Sequence, residues 1–249
     1  MEVHKHPHHV THKKKWTEYL LEFFMLFLAV FLGFVAENTR ENIVERKREK
    51  HYMHSMVEDL QKDTAILNKI INRAGLITNL LDTAERILFI EKLNDSLIKK
   101  LYSFNLNMLP SIQTTFTDRT TSQLKNAGGL HLIRNAIVVE NLFDYWTFTE
   151  EIQHNSENYN ELRIHAREKS YSIFSAKDYS PVPENNNFST EVTPKLMTTD
   201  RSVLEEFANR LGHLKNGNQF VYIPNLKAAF AAAVKLMALI KTEYHLQNE

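Results

Sequence analysis

Cysteine is absent from this 249-residue chain. Its absence excludes disulfide cross-links, thiolate metal sites and a cysteine nucleophile, and it fits a reducing or an oxidising compartment equally. Glycine and proline are scarce, six of each, as in a mostly helical chain. Neither a phosphate-binding loop ending in lysine and threonine nor the glycine spacing of a dinucleotide site occurs. A net charge is lacking too: 30 basic side chains face 30 acidic ones. The chain therefore has no electrostatic footprint for nucleic acid. Serine, histidine and aspartate are present, but no nucleophile elbow or comparable local signature accompanies them. These absences argue against an enzyme and imply no cofactor.

One long apolar run stands out, residues 19–36, Tyr-Leu-Leu-Glu-Phe-Phe-Met-Leu-Phe-Leu-Ala-Val-Phe-Leu-Gly-Phe-Val-Ala. A helix crossing ~30 Å of hydrocarbon at ~1.5 Å per residue needs about 20 residues. The run is slightly shorter, but its flanks extend it. Trp16 and Tyr19 stand where an interfacial aromatic belt belongs, and Lys13, Lys14 and Lys15 can snorkel to headgroups. Glu22 is one turn inside, still within reach of the interface. A cleaved signal peptide is disfavoured: Phe34 sits two residues before Ala36, where a small residue is wanted. A soluble core helix is disfavoured because the run is apolar all round. Residues 16–36 are thus predicted to form a transmembrane helix that acts as an uncleaved signal anchor. Ala29 and Gly33 are four apart, a spacing that lets two such helices approach closely.

Orientation follows the distribution of Lys and Arg. Lys5, Lys13, Lys14 and Lys15 precede the run, and Arg40, Arg46, Lys47, Arg48 and Lys50 follow it. The counts nearly tie. The lysine triplet abuts the run directly, which predicts a cytoplasmic N-terminus and places the remaining ~210 residues, one domain of ordinary size, in the periplasm beside the inner (plasma) membrane.

Residues 1–15 hold His4, His6, His8, His9 and His12 among lysines. Such a tract packs no core and is predicted to be disordered; neutral imidazoles there offer divalent-metal ligands. After the span, Glu37, Glu41, Glu45 and Glu49 interleave with the basic residues in a solvated helix suited to the neighbourhood of lipid headgroups. A heptad then begins. One seam is Met53, Leu60, Leu67, Ala74, Leu81 and Leu88; the other is Met56, Asp63, Ile70, Ile77, Ala84 and Glu91. Asp63 and Glu91 are its polar exceptions. Val57, Ile66, Ile71, Leu80 and Ile87 widen the stripe, which suits a helical bundle better than a two-stranded coiled coil.

Further signals divide the rest. Asp95 and Ser96 read as the cap of a helix that stops near Pro110. A short helix ends at Gly128, with Gly129 extending the turn. Arg134 and Asn135 stand at the start of a long helix over about residues 135–175, placed to hydrogen-bond that turn. Residues 176–199, with Pro181, Pro183, Pro194 and three consecutive asparagines, predict a mobile loop. Asp200 starts a helix to about Leu214, with Gly217 beyond its end, and a last helix follows Pro224. The predicted fold is all-α: one N-terminal transmembrane helix, then an antiparallel bundle of long helices over residues 37–249.

Two motifs offer metal ligands. Glu151 and His154 share a helical face at the spacing of carboxylate-bridged di-iron bundles, but no second such motif accompanies them. His51 and His54 also share a face, beside Lys50. A metal-handling protein using the N-terminal histidines or Glu151 and His154 is therefore the alternative to a partner-binding role.

Several stretches together carry a resemblance. They are Trp-Thr-Glu-Tyr-Leu-Leu-Glu-Phe-Phe at residues 16–24, Ala36-Glu37-Asn38, Leu-Lys-Asn-Ala-Gly-Gly-Leu-His-Leu-Ile-Arg-Asn at residues 124–135, and the closing Leu-Ile-Lys-Thr-Glu-Tyr. The chain resembles an uncharacterised family of bacterial single-pass membrane proteins. The resemblance implies an N-terminal anchor and a helical soluble part, and transfers no activity. With one predicted span, scaffolding or assembly in the cell envelope is favoured over signal transmission. The expected partners are the lipid bilayer and a protein or second copy held through helices, with no nucleic acid.

Overall fold

The computed structural model describes residues 15–108, 111, 114–126, 128–178 and 194–246. It is helical throughout. Helix α1 spans Trp16–Leu88, α2 Asp95–Met108, α3 Arg119–Asn126, α4 Ala136–Ser170, α5 Arg201–Gly217 and α6 Ile223–Glu243. The described residues hold no β-strand, only an isolated bridge between Phe174 and Leu196. The chain divides into two compact units, Met1–Lys50 and His51–Glu249. The five histidines from His4 to His12, with Lys13 and Lys14, lie outside the described residues, as do residues 179–193 of the predicted loop. The flanks of that loop are tied down: the Met197 N–H donates to the Ile173 carbonyl at 2.9 Å, and the Tyr102 hydroxyl donates to the Lys195 carbonyl at 2.8 Å.

In the second unit, the heptad of α1 is the spine. Met53, Leu60, Leu67, Ala74, Leu81 and Leu88 are fully buried. In the other seam Met56, Asp63, Ile77 and Ala84 are buried, while Ile70 is half-buried and Glu91 is exposed. Two apolar clusters form along this spine. Met53, Met56 and Leu60 join Val138, Leu142, Tyr145 and Trp146 of α4 and Leu236 and Ile240 of α6. Farther along, Leu67, Leu81 and Leu88 join Ile152 and Tyr159 of α4, Phe207 and Leu211 of α5, and Leu226 of α6. Each large side chain buried this way contributes about 1.5–3 kcal/mol.

Polar contacts give the helix directions. Arg201 donates to the carbonyls of Leu88 and Ile90, both at 3.0 Å, and so satisfies the open end of α1. Lys215 reaches Asp82 at 3.1 Å and Glu85 at 2.5 Å. Asn218 donates to the Ala74 carbonyl at 2.9 Å and to Thr78 at 2.8 Å. Position along α5 rises as position along α1 falls, so the two run in opposite senses.

The sequence places a break between α5 and α6; the structure has none. Gly217 is right-handed helical, with φ −58° and ψ −41°, and Asn218–Tyr222 continues as a π-helix into α6. Pro224 supplies the physical reason. In α-helical register its ring would press on the carbonyl four residues back and lack a hydrogen to donate. A π-turn just before it admits an extra residue and widens the helix there. Helix α2 also differs by one residue in its cap, for Asn94, not Asp95, accepts from the Leu97 N–H at 2.9 Å.

Candidate membrane anchor

The first unit exposes its large side chains instead of burying them. Trp16, Tyr19, Leu20, Phe23, Phe24, Met25, Leu26, Phe27, Val30, Phe31, Leu32 and Phe34 are all exposed. α1 forms here because residues 16–36 hold no proline, five leucines and one glycine, Gly33, and hydrocarbon would leave the backbone no partner but itself. Phe23, Phe27 and Phe31 lie four apart and stack along one side, with centroids 6.5 and 6.1 Å apart. At ~100° per residue, Glu22, Ala29 and Gly33 fall on the opposite side. A Cβ added at Gly33 would meet no atom within 4 Å. Trp16 and Tyr19 stand at the N-terminal end.

A second stretch is less apolar but still long and apolar enough for a span, with a mean hydropathy of 1.5 against 2.3. Among the described residues, two helical runs are long and apolar enough to cross a membrane, one in Trp16–Leu88 near the N-terminus and one in Arg201–Glu243. Their burial differs. None of the apolar window in α1 is buried, whereas 28% of the second window is. Leu226, Ala229, Ala233, Leu236 and Ile240 form the buried stripe of α6, at the spacing of one helical face.

The other positions singled out by sequence separate into distinct places. Gly128 adopts φ +68°, a left-handed conformation that glycine takes at no steric cost. A Cβ on Gly129 would lie 3.0 Å from Leu124 Cδ2. Asn135 bonds differently from the expectation, because it caps α4. Its side-chain oxygen accepts from the Ile137 N–H at 2.9 Å and the Val138 N–H at 3.3 Å, and its amide donates to Glu243 at 2.8 Å. Its neighbour Arg134 precedes the cap. Glu151 and His154 are both exposed, with His154 Nε2 3.3 Å from the Asn158 amide. His51 and His54 are exposed as well, and His54 lies 3.4 Å from Glu58. Among the described residues, no group of three or more histidine, aspartate or glutamate side chains is placed to hold a metal ion.

A polar centre in the second unit was only half legible in sequence. Asp63 accepts from the Tyr145 hydroxyl at 2.6 Å and the Thr117 N–H at 2.8 Å. One turn earlier, Asp59 accepts from the Thr120 hydroxyl at 2.5 Å, the Thr120 N–H at 3.1 Å and Arg119 at 3.0 Å. Both carboxylates are almost wholly buried. They fasten residues 117–120, which lead into α3, to α1. Burial and the Asp63 charge push the Tyr145 hydroxyl far above its ordinary pKa, so it stays a donor. Burial likewise lifts Tyr159 to about 12. Each of these hydrogen bonds to the two aspartates comes from a protein donor already in place, the arrangement of a structural clasp.

Ion pairs elsewhere close on themselves. A groove of about 390 Å³ between α4 and α5 is lined by Leu162, His165, Glu206, Asn209, Arg210 and His213. Glu206 there is held by Lys169 and by Arg210 at 2.7 Å, with Lys169 the larger cause of its lowered pKa. Lys215 depresses Asp82, and Glu85 chiefly raises Lys215.

No protein-family description, no curated protein and no solved structure matches this chain.

Proposed function

We propose that this protein is a non-enzymatic helical module tethered to the inner membrane by one spanning helix, residues 16–36, and that its helical unit works as a scaffold or partner-binding element in the cell envelope. The observation that carries the reading is the wholly unburied apolar window of α1. In water such a surface would expose a patch far beyond the few hundred Å² usual for a soluble monomer; in hydrocarbon it has no such cost. The aromatic residues at its start and the lysines beside it support a fit to one bilayer crossing. The lysine triplet supports a cytoplasmic N-terminus with the helical unit in the periplasm. Ala29 and Gly33, opposite the phenylalanine ladder, favour close approach of a partner helix or a second copy through that side. The resemblance to bacterial single-pass membrane proteins points the same way. The expected partners are lipid and protein, and the reading requires no metal and no cofactor.

The cysteine-free chain makes the test direct. Glu157 is exposed on α4, and Glu157→Cys in the full-length protein introduces a unique thiol. In cells with a permeable outer membrane, a maleimide that cannot cross the inner membrane is expected to label it. Protection until lysis would place the helical unit in the cytoplasm. Recovery of the full chain in mild detergent as a partner-free monomer would contradict the scaffolding role.

A further inference from the structure

The part of α1 that follows the span has one face made of cations and aliphatic residues, bordered by Glu37 and Arg48. At ~100° per residue, Arg40, Ile43, Val44, Lys47 and Lys50 fall on one side and Glu45 and Glu49 on the other. Burial follows the same division. Glu49 is 6% exposed and Glu45 half-buried, while all five residues of the first side are exposed. Arg40 is bound to Glu37 at 2.5 Å, an ion pair that lowers the carboxyl's pKa and raises the guanidinium's. Lys47 and Lys50 therefore carry the positive charge of this side, flanking two exposed aliphatic residues. Aliphatic residues bordered by cations on one helical face are the make-up of a helix that binds a lipid interface.

The distances fit. Lys47 stands ~16 Å along the axis from Ala36. Side chains on a helix lean toward its N-terminus, which here is the direction of the span. The headgroup layer extends about 5–7 Å beyond the hydrocarbon, and surface potential persists for a further ~8 Å at physiological salt. A modest tilt, ordinary for single spanning helices, brings Ile43 and Val44 down to the interface and both lysines into the anionic potential. We propose that the Arg40, Ile43, Val44, Lys47 and Lys50 face docks on anionic phospholipid headgroups and sets the tilt with which α1 leaves the bilayer. This rests on residues 16–36 spanning the membrane.

The test uses the full-length chain in vesicles of phosphatidylcholine alone, or with one third phosphatidylglycerol. A small apolar fluorophore is placed on a single cysteine at Val44→Cys on the docking face, at Asn42→Cys away from it, or at Ala29→Cys within the span. Acrylamide, an uncharged quencher, reads exposure to water. Phosphatidylglycerol is expected to reduce quenching at position 44 about twofold, leaving position 42 unchanged. High salt, or Lys47→Gln with Lys50→Gln, is expected to cancel the protection. Position 29 is expected to be shielded in both vesicles. Equal quenching at 44 in both vesicles, with 29 shielded, would overturn the docking and leave the anchor intact; an acidic protein would then be the occupant to seek. Quenching at 29 in both would overturn the spanning helix and the docking together.

Discussion

Two stretches among the described residues have the length and apolarity of a membrane span, and they solve the same physical problem in different ways. α6 lays Leu226, Ala229, Ala233, Leu236 and Ile240 into the core of the helical unit and presents Lys227, Val234 and Lys235 to the outside. The apolar window of α1 has no such inner face. The lesson is that apolar length alone does not separate a core helix from a membrane helix. Burial of a single stripe does: water tolerates one apolar face when a neighbour covers it, and hydrocarbon tolerates apolarity on every side.

The comparison can be broken most sharply by shortening matched side chains. Leu236→Ala removes a fully buried side chain and is expected to cost about 2–5 kcal/mol in denaturant unfolding of the full chain in detergent. Leu26→Ala, at a residue 69% exposed, is expected to leave that transition unchanged. Equal effects would erase the distinction. Next in size is Asp63→Ala. It leaves the buried Tyr145 hydroxyl and Thr117 N–H without their acceptor, for a loss of about 2–4 kcal/mol in the same measurement. Gly128→Ala forces a side chain into the left-handed turn and is expected to cost about 1–2 kcal/mol. Gly212→Ala ranks last. Its methyl group would lie 2.5 Å from Glu85 Oε1, which pushes a flexible carboxylate off Lys215 for a cost of about 1 kcal/mol.

The helical unit should also carry a pH dependence of its own. The ion pair with Lys215 lowers Asp82, so its contribution is present above the unfolded value of 3.8 and is lost as pH falls through the lower folded value. Lys215 is raised above 10.5; its contribution is complete below that value and is lost as pH rises through the higher folded one. Thermal unfolding of the wild type and of Lys215→Met, compared across both windows, is expected to show the smaller pH dependence in the variant. Identical profiles would mean the pair does not couple to folding.

Much of the helical unit was legible because its signals are local and periodic. The run from Met53 to Leu88 announces its buried side through heptad spacing, and Asp200 announces a cap: its side chain accepts from the Ser202 N–H at 2.9 Å. Asp63 drew notice as a charge in an apolar seam, but its role depends on Thr117 and Tyr145, which are distant in the chain and meet it only after packing. The α5–α6 junction misled for the opposite reason. Gly217 and Pro224 are strong local signs of a break, and tertiary contacts from Asn218 to α1 together with the π-turn override them. Asn135 was placed near its turn, yet it acts on the helix that follows because its side chain is within reach of two N–H groups of α4. The candidate anchor residues Trp16, Tyr19, Glu22, Ala29 and Gly33 are marked only by their place in one apolar run, whose role depends on a solvent the sequence only implies.

The most direct test of the account compares the full chain with one that begins at Glu37, using alkaline carbonate extraction of cell membranes. The account predicts that the full chain stays with the lipid and that the shortened chain is released. Release of the full chain would contradict the anchor. Retention of the shortened chain would make the apolar stretch of α6, rather than that of α1, the part of the molecule that holds the membrane.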